Sequence, residues 1–103
     1  MRVVYTQSAT ADIDHIAAYI SERSPRGAIA VLDAIETTVA RLGTFPLSAS
    51  ATDEPGVRMA PAGRYPYLIL YAVTDDEVRI LRVMHAARLR PWEAPKDENG
   101  QEG

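Results

Sequence analysis

Residues 56–92 read GVRMAPAGRYPYLILYAVTDDEVRILRVMHAARLRPW, and this stretch decides the fold. Val57-Arg58-Met59-Ala60 is a short strand and Pro61-Ala62-Gly63 a turn. Tyr65 to Thr74 is the longest strand, Asp75-Asp76 a tight hairpin turn, and Val78 to His85 the returning strand. Three strands joined by tight turns give an antiparallel meander. In the last of them the apolar phase runs Val78, Ile80, then Leu81, Val83 and His85. A slip of one residue implies a bulge or burial on both faces.

Upstream, Arg2-Val3-Val4-Tyr5 is a further short strand. Ser8 or Thr10 is then placed to cap a helix, with Asp12 and Asp14 in its first turn, where the helix dipole favours acids. Ile13, Ile16, Ala17 and Ile20 recur at helical spacing, and Ser24-Pro25-Arg26-Gly27 breaks the helix. A second helix carries Ala28, Val31, Leu32, Ile35, Val39 and Leu42 on one stripe and ends at Gly43, shortly before Pro46. Residues 46–56 read as a loop. The expected architecture is α+β: an N-terminal strand, a two-helix antiparallel hairpin, then the three-stranded meander, the helices lying on one face of a four-stranded sheet. Residues 1–92 form one domain in this reading. The tail 93–103 has nothing to bury and is expected to be disordered.

A chain of 103 residues with 47% apolar and 24% charged residues has the composition of one soluble domain. Without cysteine there are no disulfides or thiolate metal sites. Two histidines, with His15 beside Asp12 and Asp14 on a solvated helix face, predict no metal and no cofactor. No apolar run is long enough for a membrane span and the N-terminus is not signal-like, so a cytoplasmic protein without a membrane partner is expected.

The net charge of −3 argues against a general nucleic-acid binder. It is unevenly spread. The opening stretch gathers Arg58, Arg64, Arg79, Arg82, Arg88 and Arg90 against Asp75, Asp76 and Glu77, a local field able to hold an anionic partner. Each of these residues has two readings. Arg58 and Arg64 either brace the sheet edge or contact a target. Arg79 and Arg82 pair either with Asp75–Glu77 or with a partner's acids. His85 is either a strand-end histidine bonded to the backbone or a neighbouring tyrosine, or a general base with Arg58, Arg64 and Arg88 around a phosphate. Tyr65, Tyr67 and Tyr71 share a strand face with Ile69, for packing or for base stacking. Trp92 either folds back on the sheet or anchors a partner.

Four local patterns, in order along residues 1–92, resemble the RelE/ParE superfamily of type II toxin–antitoxin toxins, nearer the ParE branch. They are Tyr5 with Ala11-Asp12-Ile13-Asp14-His15-Ile16-Ala17-Ala18-Tyr19-Ile20; Leu42-Gly43-Thr44-Phe45-Pro46; Gly63-Arg64-Tyr65 through Ile69-Leu70-Tyr71; and Val78-Arg79-Ile80-Leu81-Arg82-Val83-Met84-His85-Ala86-Ala87-Arg88. The resemblance implies a small cytosolic toxin neutralised by a cognate antitoxin. ParE-like members act on DNA gyrase, and RelE-like members cleave mRNA on the ribosome.

The residues lean towards the first. The helical half is acidic, which opposes docking on ribosomal RNA. His85 is followed by Ala86-Ala87, and no aromatic follows Trp92, where nucleases of this kind often carry a tyrosine. The expectation is a gyrase-binding toxin that is not an enzyme, held by a ParD-like antitoxin, with no sequence-specific DNA binding of its own. Arg58, Arg64, His85, Arg88 and Trp92 are the expected target contacts. An antitoxin segment would cover the open sheet face and edges, at Val57, Met59, Val39, Leu42, Arg79 and Arg82. The alternatives are a RelE-like ribosome-dependent mRNA endonuclease using Arg58, Arg64, His85 and Arg88, or a non-toxic co-repressor that pairs with its antitoxin on DNA.

Overall fold

The computed structural model describes residues 1–88. Arg90, Trp92 and the tail 93–103 lie outside the described residues. The order is β1 (Arg2–Tyr5), α1 (Gln7–Ser21), α2 (Pro25–Thr44), β2 (Ser50–Ala51), β3 (Val57–Pro61), β4 (Tyr67–Val73) and β5 (Glu77–His85), closed by a 3-10 turn at Ala86–Arg88. The sheet runs β1-β5-β4-β3-β2. The expected meander is β3-β4-β5, and β1 lies parallel against β5 with Val3 opposite Val78.

The loop expected at 46–56 contains β2, so among the described residues the sheet has five strands rather than four. Ser50 pairs with Met59 and Ala51 with Arg58. Two residues show no periodicity, and side chains set this pairing instead. The Arg58 guanidinium donates to the Ala49 carbonyl at 2.6 Å. The Thr52 hydroxyl donates to the Val57 carbonyl at 2.9 Å. Gly56 turns the chain at φ +80°, a region side chains other than glycine avoid.

Helix α1 starts earlier than expected. Its cap is Thr6, neither Ser8 nor Thr10: the hydroxyl accepts from the Ala9 N–H at 3.1 Å and donates to the Leu81 carbonyl at 3.0 Å. The Thr6 N–H also donates to the Ile80 carbonyl. Only Thr6 sits where the helix start can be tied to β5, so Asp12 and Asp14 fall beyond the first turn. Ser24 caps α2 by accepting from the Gly27 N–H at 2.9 Å, with Pro25 in the first turn.

Gly43 lies inside the last turn of α2, not beyond it. A Cβ there would stand 3.1 Å from Val3 Cγ2 and 3.4 Å from the Met1 carbonyl oxygen. The N-terminal ammonium donates to the Gly43 carbonyl at 2.8 Å. This glycine therefore permits the close approach of α2 and the start of β1.

Both helices cover one face of the sheet. Val31, Ile35, Val39 and Leu42 of α2 meet Ile69, Tyr71, Val78, Ile80 and Val83 in a single buried cluster. Each large apolar side chain so buried contributes about 1.5–3 kcal/mol relative to exposure. The phase slip in β5 is a register shift: Tyr71 stands opposite Ile80 and Leu70 opposite Arg82, leaving Leu81 unopposed. Among the described residues no helix covers the other face. Across it run Val57 and Met59, opposite Ala72 and Leu70, which in turn face Arg79 and Arg82.

Candidate functional site: the cleft between α1 and the end of β5

Pairing of β1 with β5 ends at Tyr5 opposite Ile80. Beyond Ile80, among the described residues, the outer edge of β5 has no strand beside it, and α1 supplies side chains instead. The Thr6 hydroxyl takes the Leu81 carbonyl. The Asp12 carboxylate accepts from the Val83 N–H at 2.9 Å and from Arg82 Nε and Nη2 at 2.7 and 3.0 Å. Paired twice to one guanidinium and once to the backbone, Asp12 blocks strand addition at this point.

Next to this clamp opens a cleft of about 850 Å³. His15, Ile16 and Tyr19 form its helical wall, and Tyr67, Val83 and His85 its sheet wall. Arg88 joins them from the 3-10 turn. The sequence reading placed His15 on a solvated helix face, gave Asp12 a place in the first helical turn, and made neither Asp12 nor Tyr19 a site residue. Asp12, His15 and Tyr19 stand three and seven residues apart, one stripe of a helix, and that spacing is the signal that could have found them.

His85 is held at both ends. Its Nδ1 accepts from the Ala87 N–H at 3.0 Å, and its ring meets Tyr67 edge-on at 5.2 Å. With the Nδ1 lone pair engaged, the neutral ring carries its proton on Nε2. Among the described residues neither His15 nor Arg88 has a hydrogen-bond or ion-pair partner. No three His, Asp or Glu side chains come together there as metal ligands would.

The expected target contacts do not assemble. His85 and Arg88 line the cleft. Arg58 and Arg64 do not. Arg58 is directed to the Ala49 carbonyl under the loop after α2, and Arg64 lies on the exposed β3–β4 turn, 5.3 Å over the Tyr65 ring. Burial pushes the Tyr71 phenol above its ordinary range, and its hydroxyl donates to the Pro46 carbonyl at 2.8 Å.

The expected antitoxin contacts divide as well. Val39 and Leu42 are buried beneath α2 and offer a partner no surface: the helical stripe faces the core. Val57, Met59, Arg79 and Arg82 fall in the row across the open sheet face, although Met59 itself is buried among its neighbours. Arg79 and Arg2 both hold Glu77, at 3.1 and 2.9 Å, and pull its carboxyl below the usual range.

A two-helix hairpin over one face of a five-stranded sheet is the architecture of RelE/ParE-type toxins. The chain belongs to the ParE toxin family: the family described as the ParE toxin of the type II toxin–antitoxin system parDE matches residues 3–90. It is 36% identical over 91 residues to Toxin RelE2 of Caulobacter vibrioides, covering 85% of this chain and 98% of that one. Its fold is similar to a chain of the chromosomal ParDE toxin–antitoxin system from P. aeruginosa, with a TM-score of 0.71 at 27% identity, covering 82% of this chain and 95% of that one. It is also similar to a chain of the RelBE2 toxin–antitoxin complex from Mycobacterium tuberculosis, with a TM-score of 0.57 at 28% identity and the same coverages. The chain is thus a type II toxin of the ParE/RelE superfamily. Among its described residues no helix is long and apolar enough to cross a membrane.

Proposed function

We propose that this toxin acts by binding DNA gyrase and stalling it with DNA cleaved, and that a ParD-like antitoxin holds it silent. One observation carries the choice of a binder over a nuclease. A general base needs a free lone pair within reach of the proton it removes. At His85 the Nδ1 lone pair is taken by the Ala87 N–H and Nε2 bears the proton, so the ring is set to donate rather than to accept. The net charge of −3 also disfavours docking on ribosomal RNA.

The likeness to complexes from P. aeruginosa and Mycobacterium tuberculosis supports an antitoxin partner. We assign its segment to the open sheet face, along Val57, Arg79 and Arg82. The 36% identity to Toxin RelE2 favours the second reading, a ribosome-dependent mRNA endonuclease.

A supercoiling assay with the purified chain, run beside mRNA cleavage in a translating extract, tests the two. Lost supercoiling with trapped cleaved DNA and intact mRNA is the expected result. Cut mRNA with unaffected gyrase overturns it and gives His85 a catalytic role.

A further inference from the structure

We infer that the cleft between α1 and the end of β5 is a docking site for an acidic, partly apolar peptide segment of a protein partner. The inference rests on the reading of this chain as a toxin that works by holding other proteins. The argument begins with donors. His15 and Arg88 have no internal partner among the described residues. The Ala87 N–H fixes His85 so that its Nε2–H remains to be given. The cleft's own carboxylate, Asp12, is consumed by Arg82 and the Val83 N–H. Among the described residues, three donor groups therefore line a space whose one acid is already spent, a donor-rich site for carboxylate.

The remaining lining is apolar: Ile16, Tyr19, Tyr67 and Val83. A bare anion would leave that surface wet, whereas a peptide alternating acidic and large apolar side chains would cover both kinds of wall. A phosphate backbone offers the same anionic chemistry, but the net charge of −3, with Asp14 on the same helix as His15, opposes a long polyanion. A short acidic segment meets only the local field. On the helical wall the Arg23 guanidinium stands 3.9 Å over the Tyr19 ring, a further positive charge beside it.

The test is an NMR titration of the full chain with a capped peptide, Glu-Glu-Leu-Trp-Glu-Glu. A matched peptide with glutamine for glutamate and a ten-nucleotide oligouridylate serve as the other arms. The expected result is a saturable shift of the His15, Val83, Ala87 and Arg88 amides with the acidic peptide. It should weaken at least about fivefold with the glutamine peptide and in either R88Q or H15Q, the change that losing one exposed polar or charged contact produces. Both substituted side chains are exposed and unpartnered, so the amide spectrum should otherwise keep its dispersion.

An equal response to the glutamine peptide, no shift at all, or tighter binding of the oligonucleotide at the same amides would each overturn the proposal. Supercoiling measured on the same samples separates it from the functional reading. Inhibition without a cleft response sinks the docking site alone, and a cleft response without inhibition sinks the gyrase reading alone.

Discussion

Arg58 and Tyr71 stand directly opposite one another on β3 and β4, and each donates to a carbonyl of the same loop, at Ala49 and Pro46. One cross-strand pair thereby pins the connection between α2 and β2. Loop carbonyls approached from the buried side need such donors, because water cannot reach them there. Phe45 and Leu47 flank Pro46 and are 60% and 66% exposed.

Tyr71→Phe removes one of the two donors with little change of shape. It should lower stability by about 1 kcal/mol, the usual net value of such a bond, read as a shift in denaturation midpoint at constant slope. Combined with Arg58→Ala, the loss should depart from additivity by at least about 0.5 kcal/mol, because both side chains act on one loop. Strict additivity would mean that the loop is not held as a unit.

Asp12→Ala strips the β5 edge of its clamp. The Arg82 side chain is 45% exposed, so solvent screening reduces the value of the pair, and a loss of about 1–2 kcal/mol is expected. Asp12→Asn keeps an acceptor for the Val83 N–H and should lose roughly half as much. Amide exchange at Val83 gives the specific readout: it should speed up in the alanine variant more than at Ile80, whose partners on β1 remain.

Much of this fold could be read along the chain, and the exceptions share a cause. The bulge at Leu81 was visible because apolar phase is a local property of β5. The parallel pairing of Val3 with Val78 was not, because nothing near residue 3 encodes a partner 75 positions away. Thr6 was passed over as cap in favour of Ser8 and Thr10, since all three have suitable hydroxyls and only the contacts with Ile80 and Leu81 decide among them. The site was legible at its sheet end, in His85 and Arg88. Its helical wall was hidden because Asp12, His15 and Tyr19 look like an ordinary solvated stripe until β5 is placed beside them.

Glu77 sets a pH dependence whose sign follows from its two arginines. Arg79 first, then Arg2, favours the charged carboxylate and lowers its folded-state pKa. Its contribution is therefore complete above the unfolded value of about 4.3 and is lost as pH falls through the lower folded value. Stability curves of wild type and Glu77→Gln should run apart at constant spacing above about pH 5.5 and converge below about pH 4. A gap that widens on acidification would contradict this assignment.

Leu42 and Val57 separate the two surfaces that sequence reading had joined. Leu42 is fully buried between α2 and the sheet, so Leu42→Ala should cost about 3 kcal/mol through lost burial and the cavity left behind. The fraction that remains folded should still bind the antitoxin with unchanged affinity, since no part of Leu42 reaches the surface. Val57 lies half-buried on the open sheet face, and Val57→Asp should lower stability by only about 1 kcal/mol, within the span of strand preferences. It should nevertheless weaken the antitoxin complex by about tenfold or more, because a charge is placed in an apolar contact that cannot pair it. Calorimetric titration of both variants with the cognate antitoxin measures this. Weakened binding by Leu42→Ala with unaffected binding by Val57→Asp would move the antitoxin off the sheet and onto the helices.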